Sequence, residues 1–231
     1  MPDSSSSPRD QIARKIIGFW ISQMIYVAAR LGLADLLASG PRSAEDLAQA
    51  TGTHAPSLYR LLRALASEGI FAETEGGRFE QTPLSECLRA DVPGSRKAMA
   101  LMMGEEHFRC WGELLECIRT GRTAFERLYG QPIFDYLAEH PEQARLFDAA
   151  MTSIHGPETA AMLDAYDFSG IRVLADVGGG NGSTLIEVLR RHPDLHGLLF
   201  DLPGVVERAR PALEAAGVAA HRRVVRGRVV E

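Results

Sequence analysis

The chain has 231 residues, enough for one large or two modest domains with a substantial core. It is 45% hydrophobic and 24% charged with a net charge of −5, so it has no general attraction for nucleic acid or for an anionic membrane. Its three cysteines, Cys87, Cys110 and Cys117, contain no C-x-x-C pair and give neither a disulfide framework nor a zinc knuckle; a reducing cytoplasm fits this usage, and no metal is expected.

The polar, Ser-rich start predicts a disordered tail over 1–9. The uncharged run 16–29, "IIGFWISQMIYVAA", imitates a signal peptide. At fourteen residues it is shorter than the roughly 20 needed to span a membrane, and its apolar pattern continues through Leu31, Leu33, Leu36 and Leu37. Residues 10–38 therefore read as one long helix and one short one, apolar nearly all round, as expected of a helix buried between subunits. Next, Ser43 with Asp46 forms a capping-box pattern that opens a helix broken at Gly52. A second helix begins at Thr53 or Ser57, with Leu58, Leu61, Leu62 and Leu65 on one face and Gly69 closing it. "IFAETEGGRFEQT" alternates about Gly76-Gly77, a hairpin signal.

Three helices and a hairpin are the order of a winged helix, and that raises a DNA-binding reading. Residues 11–90 hold eight Lys or Arg against eight Asp or Glu, so the basic face that phosphate contact requires is missing. Dimerisation over 10–94 is the better reading, with residues 10–38 joining two copies. Residues 95–168 read as a helical linker punctuated by Gly121, Pro132 and Pro141. Its Met and aromatic positions (Met99, Met102, Met103, Phe108, Trp111, Phe134, Met151) are expected to be plain core. His107, Cys110 and Cys117 would share one helix face, as buried thiols beside a surface histidine.

From 169 onward the pattern changes to strand, loop, helix, strand, which implies a parallel sheet of the doubly wound, Rossmann-like type over 169–231. "IRVLADV" is its first strand, "HGLLFDLP" its second and "HRRVVRGRVVE" a third. Between the first strand and its helix lies Asp176-Val177-Gly178-Gly179-Gly180-Asn181-Gly182, with Ser183 where a dinucleotide fingerprint would place its third glycine. A carboxylate at the mouth of the loop repels a diphosphate and suits a ligand carrying ammonium and sulfonium charge. S-adenosylmethionine is such a ligand. The glycines let the backbone approach it, and loop N–H groups can meet its carboxylate. Asp201, 25 residues beyond Asp176, ends the second strand, where an acid can accept ribose hydroxyls. Leu202 and Pro203 would flank the adenine.

"VLADVGGGNGSTLIEVLRRHPDLHGLLFDLPGVVERA" resembles the cofactor half of the small-molecule O-methyltransferases that include plant caffeate enzymes and bacterial carminomycin and hydroxyneurosporene enzymes. "TGRTAFERLYGQPIFDYLAEHPEQARLFDAAM" and the winged-helix module extend the resemblance over nearly the whole chain. It implies that Asp176, Gly178, Gly180 and Gly182 contact the methionine part of S-adenosylmethionine and Asp201 its ribose. It implies, too, that Met151 and its helix neighbours, with Trp111, border a pocket for a small hydroxylated aromatic or polyketide-type acceptor; His155 on that helix is a candidate substrate-side or catalytic residue, against the reading of an ordinary partly buried histidine. Family members continue for roughly a hundred residues more, where the general-base histidine lies, so the resemblance marks this chain as C-terminally truncated and the first strand as having an open edge. An Asp of the family's third strand, which reaches the adenine amino group, is replaced here by Arg228. The last eleven residues hold four Arg and four Val, a shift of composition that a changed reading frame would produce. The expected function is an O-methyltransferase; the alternatives are a non-catalytic paralogue acting as a binding or assembly partner, and a winged-helix regulator.

Overall fold

The structure is a computed structural model that describes residues 7–218 and 222–227. The chain divides into two compact units, Met1–Pro132 and Ile133–Glu231. The boundary between the units falls within residues 95–168.

The first unit opens with α1 (Pro8–Arg30). Ser7 accepts the N–H of Asp10, and Pro8 stands where the first helical turn needs no donor, so the helix starts inside the expected 1–9 tail. Ala28 and Ala29 are buried, but Ile12, Ile16, Phe19 and Trp20 on the N-terminal half are exposed, Trp20 at 56%. Within a single chain only the C-terminal half of α1 reaches the core.

There follow α2 (Leu33–Leu36), β1 (Arg42–Ser43), α3 (Ala44–Thr51), α4 (Ala55–Ser67), β2 (Phe71–Glu73) and β3 (Arg78–Gln81), with an antiparallel sheet in the order β1-β3-β2. The capping box is present: Ser43 Oγ accepts from Asp46 N at 3.0 Å and Asp46 Oδ2 from Ser43 N at 3.3 Å. Leu58, Leu62 and Leu65 of α4 bury against Leu33, Leu37, Leu47, Phe71 and Phe79. Each contributes roughly 1.5–3 kcal/mol by leaving water. Arg63 pairs with Glu73 at 3.3 Å, and the Arg78 guanidinium donates to Pro41 O, so these two cations of the winged helix have partners within the unit.

The unit ends with α5 (Pro83–Glu86), α6 (Lys97–Gly104), α7 (Glu106–Gly112), α8 (Leu114–Thr120) and α9 (Ala124–Tyr129). A Cβ at Gly104 would overlap the Tyr26 ring, and Tyr26 Oη donates to Glu105 Oε1 at 3.3 Å, which pins α6 to α1 where the helix breaks. A second break at Glu113 separates α7 from α8. His107 and Cys110 therefore share α7, while Cys117 lies on α8, correcting the expectation of one helix face. Neither thiol is fully buried, and Cys87 is exposed. The plain-core reading of the Met and aromatic positions is corrected as well. Met102 alone of the seven is buried; Met103, Phe108, Trp111 and Phe134 are exposed, and Met99 and Met151 half-buried. Helices of seven or eight residues can bury only a narrow stripe, and the rest of each stays at the surface.

The second unit comprises α10 (Ile133–Glu139), α11 (Pro141–Ala165), β4 (Val173–Val177), α12 (Ser183–Arg191), β5 (His196–Asp201), α13 (Pro203–Ala215) and β6 (Arg222–Arg226). The strands form a parallel sheet in the order β4-β5-β6. Leu185, Val188 and Leu189 of α12 pack with Leu199, Leu213, Leu163 and Phe168. Among the described residues β4 lies at a sheet edge, and its Val173 and Val177 are 62% and 58% exposed. Arg228 falls outside the described residues. Among the described residues no helix is long and apolar enough to cross a membrane.

Candidate cofactor site

Period-two alternation sends Leu174 and Asp176 of β4 to the opposite side from exposed Val173, Ala175 and Val177. Beyond the strand the ladder gains one more bond, Gly178 N to Phe200 O at 2.8 Å, before the chain turns. The turn uses φ values of +73°, +57° and +77° at Gly178, Gly180 and Gly182, a region that side chains disfavour. Gly179 is required for a different reason, because a Cβ there would lie 2.5 Å from Leu199 Cδ1 and 2.6 Å from Asp176 Cγ. Gly179→Ala must displace the loop or Leu199. It is expected to destabilise the second unit by about 1–2 kcal/mol, read as a lowered midpoint in thermal unfolding.

Asp201 closes the turn from the neighbouring strand. Its Oδ2 accepts Gly180 N at 2.8 Å and its Oδ1 accepts Leu202 N at 2.7 Å. One carboxylate thus joins the glycine loop to the first turn of α13, which Leu202 caps. Since each oxygen can accept twice, lone pairs remain for ribose hydroxyls. Asp176 is the opposite case: its Oδ2 is buried and has no hydrogen-bond partner. Burial, with the Asp201 charge as a second cause, pushes its carboxyl above the usual range.

This geometry fits a cationic nucleoside. An orphaned buried carboxylate asks for a donor, the glycine loop leaves room for backbone approach, and two acids would repel a pyrophosphate. Asp176, Gly178, Gly180, Gly182, Asp201 and Leu202 all lie on this one loop and its two flanking strand ends. Met151 and His155 lie on α11 of the same unit. His155 is exposed and its Nδ1 is 2.8 Å from Glu158 Oε2 one turn on. Trp111 lies on α7 of the first unit, 66% exposed. Among the described residues no group of three or more His, Cys, Asp or Glu is placed to hold a metal ion.

Two polar ties next to the loop escaped the sequence reading. Asn181 Nδ2 donates to Thr152 Oγ1 at 2.7 Å, and Arg208 holds Asp148 through Nε at 2.7 Å. The first had a faint signal in an amide-bearing residue inside a glycine loop; the second joins residues sixty apart and had none.

A winged-helix unit and a parallel α/β unit with a glycine loop between two acids define the class of two-domain proteins that bind a nucleoside cofactor without phosphate. An O-methyltransferase domain model matches residues 111–230 and an O-methyltransferase dimerisation domain model residues 14–91. The chain belongs to the O-methyltransferase family. It is 45% identical over 207 residues to a phenazine O-methyltransferase of Lysobacter antibioticus, covering 90% of this chain and 61% of that protein. It is 35% identical over 226 residues to an aclacinomycin 10-hydroxylase of Streptomyces purpurascens, covering 94% and 60%. The crystal structure of human N-acetylserotonin methyltransferase in complex with SAM superposes with a TM-score of 0.85 at 27% identity, covering 99% of this chain and 68% of that one. The chain spans about three fifths of the length of the curated relatives it matches.

Proposed function

We propose that this protein is an S-adenosylmethionine-dependent O-methyltransferase that methylates a hydroxyl of a small aromatic or polyketide-type metabolite. The observation that carries the reading is the buried, unpartnered Asp176 Oδ2 at the mouth of a loop built of glycines. When bound, S-adenosylmethionine supplies an electrophilic methyl group on a sulfonium centre. The chain's own residues then bind and orient. Asp176 offers negative charge to the ammonium and sulfonium end, Asp201 holds the ribose while fixing the loop, and Leu202 lies against the base. Met151 is the apolar border of the acceptor side and His155 its nearest histidine along α11. Positioning of donor and acceptor in line is the main requirement of such a transfer. One relative is named as a hydroxylase, so the test must read the product.

Incubation with methyl-labelled donor and a panel of hydroxylated aromatics should transfer label to one or more acceptors, and calorimetry should show binding of S-adenosylhomocysteine. Binding without turnover would turn the reading toward a non-catalytic binding partner. Failure to bind either nucleoside would overturn it.

A dimerisation domain is present, and the reading extends to a homodimer joined through residues 10–38, acting in the cytoplasm. The exposed Ile12, Ile16, Phe19 and Trp20 are the surface that a second copy would cover. Trp20→Asp is expected to raise the dimer dissociation constant at least about thirtyfold, the effect of losing an aromatic anchor worth 2 kcal/mol or more. Sedimentation velocity would report it.

A further inference from the structure

The turn of α11 that carries Met151 is tied to both sides of the glycine-loop cradle. Asn181 spends both ends of its amide: Oδ1 accepts Ser183 N at 3.2 Å, and Nδ2 donates to Thr152 Oγ1 at 2.7 Å. Thr152 Oγ1 in turn donates to Asp148 O at 3.0 Å, so every donor in the chain has a matching acceptor. One turn back, the Asp148 carboxylate accepts from Arg208 Nε at 2.7 Å and Nη2 at 3.4 Å. Arg208 Nη1 donates to Gly204 O at 3.1 Å, in the turn that follows Asp201 and Leu202. Residues 148–152 thus touch the cradle twice, through Asn181 on the loop side and through Arg208 on the α13 side.

The two ties differ in strength. Arg208–Asp148 is a charge-assisted pair with one partner largely shielded, and it works as a fixed anchor. Asn181–Thr152 is a single neutral hydrogen bond at the surface, in a loop whose glycines resist no displacement of their own. Such a bond sets the position of the loop without locking it.

We propose that Asn181 and Thr152 are positioning residues: a latch that holds the glycine loop against α11, so that donor affinity depends on the helix turn carrying Met151. The proposal rests on the donor reading given above. Neither residue touches the donor in this account; both act through the backbone of Gly180 and Gly182.

Thr152→Val keeps the side-chain shape and removes the acceptor, while Thr152→Ser keeps the hydroxyl. In the full chain, the valine variant is expected to bind S-adenosylhomocysteine about five- to tenfold more weakly, as for one neutral hydrogen bond, with an unchanged unfolding midpoint. Serine should restore the wild-type affinity, and Asn181→Ala combined with Thr152→Val should cost no more than Asn181→Ala alone. In the unliganded chain, amides 180–184 should exchange faster in the valine variant and at the wild-type rate in the serine variant. Unchanged exchange in Thr152→Val, or a loss of affinity that serine does not repair, overturns the latch. A wild-type chain that binds no S-adenosylhomocysteine overturns the donor reading and the coupling with it, and the exchange measurement still decides whether Thr152 holds the loop.

Discussion

Asp201→Ala is expected to lower affinity for S-adenosylhomocysteine at least about a hundredfold, the equivalent of two hydrogen bonds to a charged group. In the folded chain the carboxylate accepts Gly180 N and Leu202 N, one from each arm of the cradle. Alanine leaves both N–H groups without that acceptor and takes away the proposed ribose contact as well. Unfolding should register the first loss alone, at about 2–3 kcal/mol. Calorimetric titration and thermal melting of the same variant therefore separate the ribose contact from the loop's support: a variant destabilised as stated yet binding normally would remove Asp201 from the donor site.

Asp201→Asn refines the comparison. The amide has one accepting oxygen where the carboxylate has two, so one backbone N–H must face an NH2 group. The variant should lie between wild type and Asp201→Ala in both measurements. NADH should not bind the wild type, because two acids at the loop oppose a pyrophosphate.

Much of this site could be read in the sequence because its requirements are local. A strand, a run of glycines and a helix in immediate succession leave few geometries, and positive φ at alternate glycines follows from the tightness of the turn. Asp201 was legible by its place at a strand end. What it does there was less so. The sequence reading assigned it to ribose, and its bonds to Gly180 and Leu202 depend on the parallel register of β4 and β5, which no local pattern states. The capping box at Ser43 and the hairpin at Gly76-Gly77 were legible for the same local reason. The region 95–121 was not. Its apolar residues recur at helical spacing, but the helix breaks at Glu105, where Tyr26 of a distant helix meets Gly104, and again at Glu113. The stripe expected to be core was thereby left at the surface, Trp111 included. Asn181, Thr152, Asp148 and Arg208 are polar residues whose partners lie 29 and 60 positions away. Their identities permit the pairs, and only the packing of α11 on the sheet unit makes them.

Asp176→Asn should move stability and binding in opposite directions. The buried Oδ2 has no partner, and burial together with the neighbouring Asp201 raises the carboxyl above its ordinary range. The folded chain therefore holds this proton more tightly than the unfolded chain does. The stability it contributes is complete below the unfolded value and is lost as pH rises through the raised folded value. Once pH passes the raised value the wild type carries an unpaired, partly shielded anion, and the isosteric amide relieves it. The variant should be more stable there by about 1 kcal/mol, the low end for an unsatisfied group because water still screens part of the site, and its stability should lack the fall with pH. Binding responds the other way. An ammonium and a sulfonium prefer the anion, so wild-type affinity for S-adenosylmethionine should rise with pH across the raised value, while that of Asp176→Asn stays flat and about tenfold lower above it. The neutral thioether of S-adenosylhomocysteine keeps only the ammonium charge and should show the smaller loss. Unfolding and titration series from pH 4 to 8 on both proteins test this, and equal losses for the two nucleosides would place the sulfonium away from Asp176.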